Sequence, residues 1–374
     1  MRFLRRTLLW PMKEYTNIGG QAVIEGVMMR SPNTFVIAVR RSDGIIKLRR
    51  AQWFGLSKKI NFLKKPFIRG ILVLFETMAN GIVSLNYSAR VAMDGELIDE
   101  AKKHGVSEQD FADKLKRKEK VGLATYISIV VSVIFGIALF KVLPHVVTVF
   151  FSKYSGMAWG LDNYRFHLVD GVLKGFIFLL YVFIIGFVPD IKRVFQYHGA
   201  EHKSISTFEA GEELIVENAR KYTTFHPRCG TTFIFFLLFI SIIIFALVFS
   251  VIPIKLGSSV ILKHIVAIGI KICLMFPIAG LSYELIKFVG KRFDSPFGKI
   301  IAYPGMLLQR LTTKAPDDQQ LEVALASIKA VLFLEDHYKL SSVSEKIIEP
   351  DEIEIKSIDE VQESNLQFKD FLER

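Results

Sequence analysis

Cysteine is nearly absent from this chain: two residues in 374, Cys229 and Cys273. A disulfide framework is therefore excluded as the source of its stability, and any staple must be packing or a metal. A cleavable leader is not expected, because Met1 to Trp10 is basic but its apolar run is too short for an h-region. The chain shows no internal repeat, no low-complexity tract and no nucleic-acid recognition module, so nucleic acid is not an expected partner despite the net charge of +11. Acid is also in deficit, with 37 Asp and Glu against 48 Lys and Arg.

Apolar residues, by contrast, are abundant. They make up 51% of the chain, with 32 Phe and a mean hydropathy of +0.34, which excludes an ordinary soluble domain. Four runs are long and apolar enough to cross a bilayer core, which needs about 20 helical residues: Gly122 to Leu143, Leu168 to Val188, Thr231 to Ile252 and Val260 to Val289. The third has no charge at all; the fourth holds Lys263, His264, Lys271 and Glu284, with Pro277 expected to kink it. Lys263 and His264 are expected to snorkel outward, whereas the deeper Lys271 needs a partner or a water-filled path.

Lys192, Arg193, Lys203, Arg220, Lys221 and Arg228 crowd the loop from Asp190 to Gly230, while Pro144 to His167 has only Lys153 and Arg165. Cationic loops stay inside, so the sequence predicts a multi-pass protein of the cytoplasmic membrane with both termini cytoplasmic. Anionic lipid is the expected partner of the basic flanks. A fifth run, Gly70 to Ala89, would push the basic N-terminal arm outside if it crossed. It is read instead as a re-entrant, interfacial or protein-covered helix, with Glu76 and Asn80 one turn apart on its protein side.

The expected architecture is an α-helical membrane protein of about four spans, plus that extra helix and a small cytoplasmic β-element. Residues 1–65 would hold the β-element, since TFVIAVRRSDGIIKLRR has two β-rich runs broken at Asp43 and Gly44. Ahead of it, IGGQAVIEGVMMRSP suits a strand whose backbone lies close to something else, with Glu25 its only acid. Residues 66–93 form the extra helix, and 94–121 a charged, solvated helical segment with an S-E-Q-D start. Residues 122–289 form the membrane domain, with a motif loop at 190–230. Residues 290–340 would carry an amphipathic cytoplasmic helix, with Leu321, Leu325, Ile328 and Leu332 at helical spacing. Residues 341–374 form an acidic tail, net −6 over its last thirty positions, expected to be solvated or disordered.

Chemistry concentrates in the motif loop, where residues 196–204 read QYHGAEHKS. On a helix His198 and His202 share one face one turn apart, with Glu201 within reach. Two imidazoles so placed can hold Zn²⁺ while a carboxylate takes a proton from water, and the order H-x-x-E-H matches the inverted zincin pattern. The bland alternative is a polar helix leaving the membrane. FHPRCGTTF, some twenty-five residues on, adds His226 and Cys229; if the loop folds back, three or four nitrogen and sulfur donors meet at one depth, the number Zn²⁺ takes. Cys229 alone reads equally as a buried small hydrophobe. Glu209, Glu212 and Glu213 read as an exposed helix end. Glu284 in LSYELIKF is either a functional carboxylate at the membrane edge or half of a salt bridge.

GGQAVIEGVMMRSP, FQYHGAEHKSISTFEAGEELIVENARKYTTFHPRCGTTF, LSYELIKF and TTKAPDDQQLEVALASIKA, in this order, resemble the YqhQ-like family of bacterial membrane proteins. The resemblance runs to about Glu335 and leaves out the acidic tail. It implies a metal-dependent enzyme whose motif core is His198, Glu201 and His202 with His226, Arg228 and Cys229, and whose other motif segments carry Gln21, Glu25, Glu76 and Glu284. The reading that results is a zinc-type hydrolase at the cytoplasmic membrane boundary: His198 and His202 as ligands, His226 or Cys229 completing the set, Glu201 as general base, Arg228 stabilising negative charge. Its substrate would be a membrane peptide, lipid headgroup or small amphiphile. The alternative is a non-enzymatic transporter or scaffold in which the histidines, Glu284 and Lys271 line a polar path.

Overall fold

The computed structural model describes residues 18–52, 65–104, 123–157, 159–227, 229–252, 259–292, 295–340 and 351–363. Its strands are β1 (Gly19–Val23), β2 (Gly26–Arg30), β3 (Thr34–Arg40), β4 (Ile46–Gln52) and β5 (Asp351–Ile355), joined in that order into one antiparallel sheet. The IGGQAVIEGVMMR run is thus two strands rather than one, turning at Ile24 and Glu25. Asp43 and Gly44 lie in the β3–β4 hairpin as their turn chemistry demands, with Gly44 at φ +91°.

Alternation along the strands explains why β2 and β3 are so uniformly apolar: both faces of the sheet are covered. Met28, Phe35, Ile37 and Val39 pack against Tyr87 and Val91 of α1 (Ile68–His104). Val27, Met29, Val36 and Ala38 pack on the other side against α10 (Asp318–Leu340) and α5 (Pro189–Glu209).

The acidic tail is not wholly solvated. Residues 351–355 pair with Arg50 to Ile46 of β4, because β4 would otherwise present an open edge and because its basic side chains meet acidic ones, as in Lys47 with Glu354 at 3.3 Å. Helix α10 departs from the amphipathic expectation as well. Leu321, Leu325, Ile328 and Leu332 are buried, but so are Val323, Ala324, Ala326, Ala330 and Val331; its small residues let the sheet and α5 close on both sides.

Among the described residues, five helical stretches are long and apolar enough to cross a membrane: 68–95, 130–154, 164–185, 230–251 and 260–290. The last three lie in α4 (Tyr164–Ile185), α7 (Gly230–Val251) and α8 (Val260–Lys291). The first expected span does not end at Leu143: α2 (Leu123–Ile137) passes through a π-turn at Ala138–Val142 into α3 (Leu143–Tyr154). Pro144 sits in α3's first turn, where its missing N–H does no harm.

The 70–89 run falls within a single helix. It belongs to α1, an unbroken helix of 37 residues, whose continuation past Asp94 absorbs the start of the charged segment; the S-E-Q-D stretch lies outside the described residues. Glu76, Asn80, Ser84 and Ser88 of α1 are buried, whereas Phe75, Met78, Ile82 and Leu85 are exposed. The helix turns its polar stripe to protein and its apolar stripe outward.

Candidate metal centre

Helix α5 follows α4 after a sharp bend, with Pro189 in its first turn, and carries His198 and His202 on one face, ring centres 4.5 Å apart. The chain then returns through the short α6 (Val216–Arg220) and residues 223–227 to α7, whose N-cap is Cys229. The loop folds back as the motif spacing requires. His198 Nε2 lies 3.1 Å from Cys229 Sγ, and one donor atom from each of His198, His202 and Cys229 falls within 4.8 Å of the others.

Each imidazole is oriented from behind. His198 Nδ1 donates to the Thr312 carbonyl at 2.9 Å, and His202 Nδ1 to the Thr224 carbonyl at 2.5 Å. A proton so held on Nδ1 leaves the Nε2 lone pair for a ligand, the arrangement that backbone carbonyls impose on metal-binding histidines. His202 Nε2 is buried, faces Cys229 and has no hydrogen-bond partner of ordinary geometry among the described residues. Burial also pushes the His202 imidazole below its ordinary value, with Cys229 acting the other way, so the ring is neutral near pH 7 and able to ligate. The donor set of two nitrogens and one sulfur, with a buried nitrogen lacking a partner, fits a tetrahedral ion with one position left open.

Gly199 explains the second letter of H-G-A-E-H. A Cβ there would meet the Lys314 carbonyl oxygen at 2.1 Å, so glycine lets the 312–315 segment approach, with Lys314 N–H donating to the Phe195 carbonyl at 2.9 Å. That approach brings the Thr312 carbonyl to His198. Gln309, on α9 (Pro296–Thr312), accepts from the His226 amide at 2.8 Å and donates to the His226 carbonyl at 2.7 Å. It clamps the turn that delivers Cys229. Neither Gln309 nor the two carbonyls has a motif signal; Gln309's trace is a lone polar residue among the apolar positions of α9.

The remaining sequence-predicted residues are placed as follows. Glu201 is buried against β1, where a Cβ on Gly20 would lie 2.8 Å from its Cγ; burial raises its carboxyl above the ordinary range, opposed by His198, His226 and the Gly20 amide. His226 stands beside the cluster, its ring 5.7 Å from that of His202, with its Nε2 3.4 Å from Glu209. Arg228 lies outside the described residues. Glu25, at φ +52° in the β1–β2 turn, pairs with Arg193 and lies 3.4 Å from Tyr197 Oη. Glu284 forms a two-pronged pair with Arg69, and Glu76 is buried near Arg30 and Tyr283. These three carboxylates tie α1, β1–β2 and α8 to the rest and are not drawn into the His198 cluster.

Among the described residues the chain is thus predominantly helical, with five helices of membrane length, a five-stranded sheet docked on them, and a histidine–cysteine cluster between. It belongs to the family described as "Protein of unknown function (DUF1385)", whose model matches residues 65–333. It is 34% identical over 322 residues to "Uncharacterized protein YqhQ" of Bacillus subtilis (strain 168), covering 85% of this chain and 92% of that relative. The family resemblance carried by the QYHGAEHKS and HPRCG blocks therefore holds. No solved structure matches the chain.

Proposed function

We propose that the protein is a metal-dependent hydrolase of the cytoplasmic membrane, acting at the inner lipid boundary on an amphiphile, a lipid headgroup or a membrane peptide. The observation that carries the metal is the pair of Nδ1-anchored imidazoles converging with Cys229 around a buried, partnerless His202 Nε2. A bound Zn²⁺ would supply Lewis-acid polarisation of a carbonyl or phosphoryl oxygen and of water. Glu201, with its carboxyl raised above the usual carboxylate range by burial and opposed by His198, would serve as the general base. Arg228, directly before Cys229 in the chain, would stabilise negative charge on the substrate.

The sheet supports four crossings. β1 packs on α5 through Gly20 and Glu201, and β4 pairs with β5 from beyond α8. Residues 19–52, α5 and residues 351–355 must therefore lie on one side, and an even number of crossings separates each pair. With 130–154, α4, α7 and α8 crossing, α1 does not. Its outward Phe75, Met78, Ile82 and Leu85 then rest on lipid at the boundary, as do Phe297, Ile300, Tyr303 and Leu307 of α9. Exposed Lys299 and Arg310 on α9 favour anionic headgroups there. The basic 190–230 loop supports a cytoplasmic location for this side, and with it for both ends of the chain.

Elemental analysis of untagged protein purified in mild detergent tests the metal. Near-stoichiometric metal is expected in the wild type and in Glu201→Gln, and its loss in a folded His198→Ala, His202→Ala double variant. Wild type that stays metal-free after reconstitution with Zn²⁺, Mn²⁺ and Fe²⁺ would overturn the proposal.

A further inference from the structure

A second group of titratable residues lies at the other end of the bundle, about 24 Å along α7 from Cys229 at 1.5 Å per residue, around Phe245. His264, in the second turn of α8, is partly exposed. Its Nδ1 lies 2.9 Å from Nε2 of His145 on α3, and His145 Nδ1 lies 3.4 Å from Nζ of Lys271, two turns deeper on α8. Lys271 Nζ is 2.6 Å from Asp170 Oδ2 on α4, and Lys174 reaches the same oxygen at 3.8 Å. His145, Asp170, Lys174 and Lys271 are all at least 95% buried.

The charges in this row do not balance. The ammonium groups of Lys174, Lys141 and Lys271 lie 5.2, 5.6 and 5.7 Å from the centre of the Phe245 ring, and Asp170 is the carboxylate among them. His167, on the same helix, is committed through Nε2 to the Leu161 carbonyl at 2.7 Å. With every lysine charged, two positive charges would lack a carboxylate among the described residues. An aromatic face offers a desolvated cation about 2 kcal/mol, against a penalty of several kcal/mol for each unpaired buried ion. Asp170 Oδ1 and Lys174 Nζ, both buried, have no hydrogen-bond partner among the described residues. A site with more basic nitrogens than it can keep charged, joined to the surface by hydrogen-bonded imidazoles, is built to exchange protons.

We propose that this cluster is a proton-loading site inside the membrane bundle, filled from the end opposite the metal centre through His264 and His145. The transfer balances. A proton taken from water onto His264 Nε2 is matched by release of its Nδ1 proton to His145 Nε2. His145 then gives its Nδ1 proton to the Lys271 amine, and the new ammonium is held by Asp170. Each imidazole ends neutral in its other tautomer, and the bundle gains one proton and one positive charge. The inference does not depend on the metal reading, because it uses none of the same residues.

The test counts protons taken up by detergent-solubilised full-length protein between about pH 8 and about pH 6, a window in which an ordinary lysine stays charged. Lys271→Arg keeps the partner of Asp170 but cannot release a proton. It should bind about one proton fewer than wild type, whereas Lys153→Arg should bind the same number. Equal counts in Lys271→Arg and wild type overturn the proposal. In a stopped-flow pH jump, the uptake phase that Lys271→Arg removes should slow at least tenfold in His264→Phe; an unchanged rate overturns the histidine entry path.

Discussion

The chain has two histidine groups, one at each end of its helical bundle, and the same side chain meets opposite company in them. His198 and His202 stand beside a thiol and a buried carboxylate, with their Nδ1 atoms held by backbone carbonyls. His145 and His264 hydrogen-bond each other and lead to lysines. The first group gathers lone pairs toward one point and suits a cation; the second surrounds itself with ammonium groups, which repel one. What an imidazole does is decided by the charge and softness of its neighbours.

The contrast breaks most sharply at Asp170. Removing its charge in Asp170→Asn strands Lys271 in the bundle, with an expected loss of about 3–5 kcal/mol. Thermal unfolding in detergent should show this, and an added Lys271→Met should restore most of it, as expected for coupled neighbours. At the other end the stability should come from the ion rather than from the side chains. A chelator should lower the wild-type unfolding temperature, by the equivalent of about 4 kcal/mol where free metal had been a thousandfold above its Kd, and should leave Cys229→Ala unmoved. Gly199→Ala sharpens the comparison at a smaller scale. Its Cβ would drive the 312–315 segment away from α5, costing about 1–3 kcal/mol and lowering metal content, with no effect on proton uptake at Lys271.

Much of the histidine–cysteine cluster was legible because its side chains come in two short words. QYHGAEHKS needs only a helical pitch to align His198 with His202, and FHPRCGTTF places Cys229 at the mouth of an apolar helix. His226 belonged to the same words, yet the turn that Gln309 clamps sets its ring beside the cluster with Glu209. The lysine–aspartate cluster left a weaker trace. Lys271 stood out within a span, but Asp170 and Lys174 sat near the start of their own apolar run, and nothing local tied them to a residue about a hundred positions away.

Helix α1 shows what a stripe can give: Glu76 and Asn80, one turn apart, marked its protein side, and Ser84 and Ser88 extend that buried stripe while Phe75, Met78, Ile82 and Leu85 face outward. Helix α10 gave less, since its alanines and serine are compatible with either burial or exposure.

By itself, the sequence determined the greasy helices, the basic loop, the hairpin at Asp43 and Gly44 and the pairing of His198 with His202 on one helix face, because each follows from local pitch, local charge or turn geometry. Tertiary structure alone decided that β5 closes the sheet, that carbonyls of Thr224 and Thr312 aim the histidines, and that Asp170 meets Lys271. Those contacts join segments tens to hundreds of residues apart, and their energies depend on burial and direction, which no local window of sequence contains.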